Sequence, residues 1–158
     1  MRESYRGRLP SEPVRREFSA GGVVIRRLRG HWHLAAIRPG GKTDVWALPK
    51  GLIGAGEKPA DTAVREVAEE AGVQARLVEK LGDVRYVYTW EGERVFKVVS
   101  FFLLRYSRGR LGDIPSEHAH EVEEARWLPL EDAPRQLAYK GEREMAEKAQ
   151  KSLSDKAL

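Results

Sequence analysis

Short apolar runs separated by turn residues dominate the first third of the chain. Residues 17–26, EFSAGGVVIR, end in β-branched side chains, and after the turn-like LRG a second apolar run, WHLAAI, covers residues 32–37. Runs of β-branched residues bounded by glycine and polar turns are typical of strands. The pattern therefore predicts a hairpin, followed by a turn-rich loop, RPGGKTD, and a short extended segment, VWALP.

Longer apolar patterns follow in the middle of the chain. Residues 73–90 and 94–106 are predicted as two long strands joined by a tight turn, EGE. A loop is predicted over residues 107–120, and the sequence VEEARWLPL then predicts a further strand. Helix-forming stretches at residues 130–137 and 140–153 complete the chain.

One segment, residues 60–71, carries a helical pattern. Pro59 suits the first helical position, where its missing N–H would have no partner, and Gly72 suits the C-terminal cap. An apolar stripe and an acidic stripe lie on opposite sides of this helix: Ala63, Val67 and Ala71 against Glu66, Glu69 and Glu70. Strands covered by helices on both sides predict an α/β fold, specifically an α/β/α sandwich with a mixed β-sheet.

Length and composition limit the organisation of the chain. With 158 residues, 41% of them hydrophobic and 33% charged, it suits one compact domain. We predict a basic N-terminal arm at residues 1–16, a single domain at residues 17–153 and a short tail at residues 154–158. Because the chain lacks a membrane-spanning apolar run and its start lacks the apolar middle of a signal peptide, a cytoplasmic protein without a membrane partner is expected.

Charge and cysteine content narrow the choice of partners. The net charge of +4 and the pI near 9.4 favour anionic ligands, including a phosphate-rich small molecule. An arginine-bearing arm is more often a solvated tail than a nucleic-acid reader. Since the chain contains no cysteine, any metal must be held by oxygen or histidine ligands, which points to a hard cation such as Mg²⁺ or Mn²⁺.

Residues 51–73, GLIGAGEKPADTAVREVAEEAGV, contain a motif of seven fixed identities: Gly51, Glu57, Arg65, Glu66, Glu69, Glu70 and Gly72. At average composition a chance match is on the order of 10⁻⁸ per starting point. The motif resembles the Nudix box of hydrolases that act on nucleoside diphosphates linked to another group. The resemblance covers residues from about 18 to 149, and it implies the same sandwich fold.

The acidic side of the helix suits hydrolysis of a pyrophosphate link. Such hydrolysis requires a water to attack phosphorus in line while the negative charge of the phosphoryl oxygens is neutralised, and divalent metal ions answer both needs. Outside this spacing, three such glutamates would more often form a solvated acidic face. The glycines of LPKGLIGAGE let the backbone approach the helix start closely, where a phosphate can meet main-chain groups.

The resemblance assigns roles within the motif. It implies Glu66 and Glu70 as the main metal ligands, with the Gly51 carbonyl as a further ligand. Glu69 is implied to be a metal ligand or the general base. Arg65 lies at i, i+4 from Glu69 and is expected to orient that carboxylate through a bidentate pair. The role expected for Glu57 is to brace the loop or the metal shell.

Segments outside the motif resemble the diadenosine polyphosphate hydrolase branch of the family, notably SAGGVVIRR, WALPKG, YVYTWEGERVFKVVSFFL and EVEEARWLPLEDA. Lys50 is placed to contact a phosphate, and Tyr86 and Tyr88 are candidates to stack on adenine, although core packing is an equal alternative for both. The resemblance also implies that Glu121 is a carboxylate near the metals and that Tyr139 lies near the base pocket. The loop histidines, His118 and His120, receive no role.

The leading hypothesis is a Mg²⁺- or Mn²⁺-dependent hydrolase that cleaves diadenosine tetraphosphate by attack of a metal-activated water on phosphorus. Hydrolases of damaged nucleoside triphosphates, of diphosphoinositol polyphosphates or of the 5′ pyrophosphate of RNA share the same motif and remain alternatives. A catalytically silent module that senses a nucleotide is an alternative of another class. The sequence does not indicate the oligomeric state.

Overall fold

A mixed six-stranded β-sheet organises the protein, whose computed structural model describes residues 14–41 and 44–156. The strands are β1 (Val14–Leu28), β2 (His31–Pro39), β3 (Lys50–Leu52), β4 (Gln74–Trp90), β5 (Glu93–Arg108) and β6 (Val122–Pro129). The helices are α1 (Pro59–Ala71), α2 (Ala133–Gln136) and α3 (Lys140–Asp155), with a 3₁₀-helix at Ser116–Glu121. The strand order is β4-β5-β1-β2-β6, and β3 pairs with β1. Because β1 and β5 are parallel and the other pairs antiparallel, the predicted mixed sheet is confirmed.

Two apolar clusters cover the two faces of this sheet. Successive residues of a strand point to opposite faces, so Val23 and Ile25 join one cluster whereas Ala20 and Val24 join the other. The first cluster includes Met145, Ala146 and Ala149 of α3, and the second includes Ala63, Val67 and Ala71 of α1. One helix therefore packs on each face, which confirms the predicted sandwich.

Helix α1 begins and ends as its sequence predicts. Pro59 occupies the first turn, and Gly72 caps the C-terminus with φ 81°, donating its N–H to the carbonyls of Val67 and Ala68 at 3.2 and 3.1 Å. A side chain at this left-handed position would be strained, which explains the glycine. The apolar stripe of α1 is fully buried, so the helix is held by packing on the sheet.

Some boundaries differ from the prediction. Strand β1 begins at Val14 and contains Arg15 and Arg16, while residues 1–13 of the predicted arm lie outside the described residues. The segment VWALP forms only isolated bridges, with Ala47 exchanging both backbone hydrogen bonds with Ile37 at 2.8 Å. The stretch predicted as helical at residues 130–137 yields only the four-residue α2. In the part of the chain described here, no helix is long and apolar enough to cross a membrane.

Candidate functional site

The carboxylate of Glu66 lies directly against the backbone of Gly51. A Cβ atom added at Gly51 would sit 2.1 Å from the Glu66 carboxyl carbon, so only a hydrogen fits between strand β3 and this side chain. Glu66 is only 9% exposed, although it belongs to the acidic stripe of α1. The glycine that begins the motif therefore provides the space in which a helix carboxylate reaches the sheet.

Arg65 is the centre of the hydrogen-bond network on α1. Its Nε and Nη2 donate to the two carboxylate oxygens of Glu57 at 2.8 and 3.0 Å, and Nη2 also donates to the Leu52 carbonyl at 3.1 Å. Its Nη1 donates to Glu66 at 2.9 Å and to both oxygens of Glu69 at 3.1 Å. The two-nitrogen fork of Arg65 therefore binds Glu57. The fork expected at Glu69 is wrong, because Glu69 is contacted through the single nitrogen Nη1, and the other two guanidinium nitrogens of Arg65 are already held by Glu57.

Glu57 ties the glycine-rich loop to the helix. Besides Arg65, it accepts hydrogen bonds from the Gly54 N–H at 2.9 Å and the Thr62 hydroxyl at 2.7 Å. These donors, Arg65 first, lower the pKa of the Glu57 carboxyl to about 2. Glu57 is therefore ionised at neutral pH and supplies a permanent anchor for the Arg65 guanidinium.

The three glutamates of α1 are less fully compensated than Glu57, because Glu66 and Glu69 share a single nitrogen of Arg65. Glu70 accepts the backbone N–H of Lys50 at 3.0 Å. Burial raises the pKa of Glu70 to about 7, and repulsion from Glu66 and Glu121 adds to the rise. Burial and the negative charge of Glu69 likewise raise the pKa of Glu66. Together with Glu121, the three glutamates of α1 form an acidic corner. This acidic corner carries more negative charge than the cations beside it compensate.

The chemistry of these donors fits a hard divalent cation. Carboxylate oxygens are the ligands that such cations prefer, and a cation at this corner would offset the repulsion that raises the pKa of Glu66 and Glu70. Within residues 14–41 and 44–156, however, no three histidine or acidic side chains converge as a ready metal cage. Instead, Glu66 and Glu69 bind Arg65, and Glu70 accepts the Lys50 N–H.

A cleft of about 630 Å³ lies beside this corner, between the β4–β5 hairpin and the start of α3. Tyr86 and Tyr139 line it and are 41% and 39% exposed, while Val99 and Phe101 contribute apolar surface. Lys50 also lines the cleft, with its ammonium 5.7 Å from the centre of the Tyr139 ring. An aromatic, half-open cleft of this kind suits a planar, uncharged group such as a nucleobase.

Tyr88 is placed differently from Tyr86. Both side chains lie on one face of β4 with their ring centres 6.1 Å apart, but Tyr88 is not among the residues that line the cleft. Its hydroxyl donates to Glu17 of β1 at 2.8 Å. The alternative of core packing is wrong for both, because Tyr86 is 41% exposed, Tyr88 is only half-buried, and neither belongs to the two apolar clusters.

The loop before β6 brings two further side chains near α1. Glu121 ends the 3₁₀-helix, is 41% exposed at its side chain, and contributes to the negative charge felt by Glu66 and Glu70. His118 lies between two carboxylates, with Nδ1 3.3 Å from Glu121 and Nε2 3.8 Å from Glu69. The loop histidine left without a role therefore belongs to the acidic corner, whereas His120 is exposed.

Glu142 is a site residue that the sequence analysis missed. Its side chain is only 5% exposed and contacts the Lys50 ammonium at 3.0 Å, although the two residues are 92 positions apart. A usable signal was present, because Glu142 shares the spacing of the apolar stripe of α3, Met145, Ala146 and Ala149. A charged residue on a buried stripe needs a partner, which the sequence alone does not identify.

Known proteins resemble this chain over most of its length. The sequence pattern of the NUDIX domain matches residues 16–149. A Mycobacterium tuberculosis protein named as mutator protein MutT4 is 39% identical over 138 residues, which cover 84% of this chain and 54% of that protein. The chain thus spans about half the length of this relative. An RNA pyrophosphohydrolase of Azorhizobium caulinodans is 32% identical over 124 residues, covering 68% of each protein.

Two comparisons involve Caenorhabditis elegans. Its asymmetrical bis(5′-nucleosyl)-tetraphosphatase is 27% identical over 115 residues, which cover 73% of this chain and 80% of that protein. The crystal structure of a C. elegans Ap4A hydrolase binary complex superimposes with a TM-score of 0.69 at 24% identity, covering 89% of this chain and 99% of the other. This structural likeness confirms the fold.

Proposed function

From the premise that this chain belongs to the NUDIX domain family, we propose that it hydrolyses pyrophosphate links in nucleotides, with diadenosine tetraphosphate as its preferred substrate. The observation that carries the proposal is the placement of an aromatic cleft beside a cluster of carboxylates, of which Glu66 is buried and Glu69 and Glu70 are half-buried. A substrate with a nucleobase and a polyphosphate can occupy both at once. The similarity to the C. elegans tetraphosphatase supports this choice of substrate.

The family generally uses a divalent metal, and we propose Mg²⁺, or Mn²⁺ in its place, as the ion. The residues that would hold it are Gly51, Glu66, Glu69, Glu70 and Glu121. When bound, such an ion supplies neutralisation of phosphoryl charge and lowers the pKa of water. Arg65 holds Glu66 and Glu69 in orientation, and Lys50, Tyr86 and Tyr139 receive the substrate at the cleft, with Tyr88 beside them.

Glu69 is our candidate for the general base, because its side chain is more exposed than that of Glu66, 23% against 12%, and a single nitrogen of Arg65 is its close donor among residues 14–41 and 44–156. We expect Glu69→Gln to lower kcat by about 10²- to 10⁴-fold at saturating Mg²⁺, the usual range for loss of a general base. The measurement is steady-state hydrolysis of diadenosine tetraphosphate, with Glu147→Gln on the exposed side of α3 as the control. Full turnover by Glu69→Gln at saturating Mg²⁺ would exclude it as the base.

The substrate is tested by product analysis. The protein is incubated with Mg²⁺ and, separately, diadenosine tetraphosphate, nucleoside triphosphates, a diphosphoinositol polyphosphate and 5′-triphosphorylated RNA, and the products are separated by chromatography. We expect diadenosine tetraphosphate to give mononucleotides with the highest kcat/KM of the panel, and chelation of the metal to stop the reaction. Pyrophosphate released from a triphosphate, with diadenosine tetraphosphate left intact, would contradict the substrate assignment while retaining the reaction class.

A second candidate is hydrolysis of the 5′ pyrophosphate of RNA. The specific observation in its favour is the 32% identity to an RNA pyrophosphohydrolase. The same panel separates the two, because RNA would then be processed faster than the dinucleotide. Tight binding of nucleotides without any metal-dependent turnover would instead indicate a sensing module.

A further inference from the structure

A partly buried ion pair between Glu142 and Lys50 connects the cleft to the segment that contacts α1. The Glu142 side chain is 5% exposed and accepts the Lys50 ammonium on Oε2 at 3.0 Å and the Leu48 backbone N–H on Oε1 at 2.8 Å. Both carboxylate oxygens are therefore occupied, and both donors belong to the three residues that precede Gly51. A buried carboxylate that binds one donor on each oxygen holds its partners in one arrangement.

Residues 48–50 also bind helix α1. The Lys50 backbone N–H donates to Glu70 Oε1 at 3.0 Å, so one residue contacts Glu142 through its side chain and Glu70 through its main chain. On the sheet side, the carbonyl of Pro49 accepts the Gly22 N–H at 3.1 Å. The position of Glu70 thus depends on a segment that β1 holds on one side and Glu142 on the other.

The start of α3 is itself held firmly against the sheet. A Cβ atom at Gly141 would lie 2.5 Å from a methyl group of Val84, so the helix approaches β4 as closely as a glycine allows. Arg143 donates to the Ala138 carbonyl at 2.8 Å and thereby stabilises the turn that enters the helix. Glu142 lies in the first turn, where the helix dipole favours a negative charge. Its carboxylate is therefore rigidly placed.

Glu142 also fixes the direction of the Lys50 side chain. The ammonium lies 3.0 Å from Glu142 Oε2 and 5.7 Å from the centre of the Tyr139 ring. Lys50 is therefore held along the wall of the cleft. Without Glu142, a partly buried cation and the buried Leu48 N–H would both lose their partner.

We propose that Glu142 is a positioning residue of the hydrolytic site, which holds residues 48–50 so that Lys50 presents its N–H to Glu70 and its ammonium to the cleft. The proposal deepens the proposed function and rests on it for the identity of the substrate. Glu142 acts through its neighbours, because both of its oxygens are already occupied by protein donors. It thereby couples the cleft to the acidic corner.

Two variants separate the two contacts of Glu142. Glu142→Gln retains an amide oxygen for the Leu48 N–H but removes the charge opposite Lys50, whereas Glu142→Ala removes both acceptors. We expect Glu142→Gln to raise KM for diadenosine tetraphosphate about tenfold with a smaller change in kcat. We expect Glu142→Ala to weaken Mn²⁺ binding to the substrate-free protein by about 10- to 100-fold, measured by electron paramagnetic resonance. Glu147→Gln, with the same charge change on the exposed side of α3, should match the wild type.

Amide hydrogen exchange tests the proposal without metal or substrate. In Glu142→Ala the Lys50 N–H should exchange at least about tenfold faster than in the wild type, because residues 48–50 lose one of their two supports. Unchanged exchange at Lys50, or a lower melting temperature with wild-type Mn²⁺ affinity and KM, would overturn the positioning role. A wild type that hydrolyses no member of the nucleotide panel would contradict the proposed function, while the exchange experiment would still decide the role of Glu142.

Discussion

Glu70→Gln is expected to abolish most hydrolysis and, without divalent metal, to stabilise the protein above pH 7. The amide oxygen of glutamine keeps the bond from the Lys50 N–H, so the local geometry is retained. The proposed site, however, loses a charged ligand, which should lower kcat/KM by at least about 10²-fold. The gain in stability arises because a buried carboxylate without a cation is costly to ionise.

The pH dependence of this gain follows from the raised pKa of Glu70, about 7 against an ordinary 4.5. Below the ordinary value the carboxyl is protonated in both the folded and the unfolded chain, and the wild type has no penalty. As the pH rises, the unfolded chain ionises first, so the wild type loses stability up to about pH 7 and little beyond. The full decrease in the free energy of unfolding of the wild type is on the order of 3 kcal/mol.

Urea unfolding in the presence of a chelator, at pH 4 and pH 8, measures this effect. The wild type and Glu70→Gln should have similar free energies of unfolding at pH 4, whereas the variant should be more stable at pH 8. Saturating Mg²⁺ should remove the advantage of the variant, since the ion binds the folded wild type more tightly. A variant less stable than the wild type at pH 8 under chelation would show that Glu70 is already compensated by protein groups.

Gly51→Ala is expected to disrupt the site more selectively than the fold. The added Cβ atom would lie 2.1 to 2.3 Å from three atoms of the Glu66 carboxylate, so the side chain must leave its position. Because Arg65 Nη1 binds both Glu66 and Glu69, the shift should spread to the second carboxylate. A misplacement of about 1 Å at a reacting centre costs about 10²-fold in rate, and we expect at least this loss in kcat/KM.

Gly54→Ala provides the matched control in the same loop. Its added Cβ atom would lie 3.0 Å from Glu57 Oε1, a contact that a small shift relieves. We expect kcat/KM of Gly54→Ala to stay within about tenfold of the wild type, and the circular dichroism spectra of both variants to retain the native signal. Equal activity of the two variants would mean that the contact between Gly51 and Glu66 is not needed for hydrolysis.

The sequence by itself determined the local features of this protein. Helix α1, its cap at Gly72 and its opposed apolar and acidic stripes follow from spacing within residues 59–72, because helical geometry places i, i+3 and i, i+4 positions together. The hairpin, the long strands and the family could also be predicted, because each is recognised from residues that are close together along the chain. The i, i+4 spacing likewise predicted the contact between Arg65 and Glu69, but not that the two-nitrogen fork of Arg65 binds Glu57 instead.

The tertiary structure decided which distant groups meet. Glu142 reaches Lys50 only because α3 packs closely on β4, and His118 reaches Glu69 only because a loop returns to α1. It also decided that Glu66, on the polar stripe, is buried against Gly51, and that Tyr86 lines the cleft while Tyr88 bonds β1. Such contacts depend on how separate elements pack. Spacing along the chain shows which face of an element is buried, but not which residues of another element that face meets. The carboxylates of the site can thus be identified from local spacing. The residues that hold them in place, and their access to a substrate, are decided by the tertiary structure.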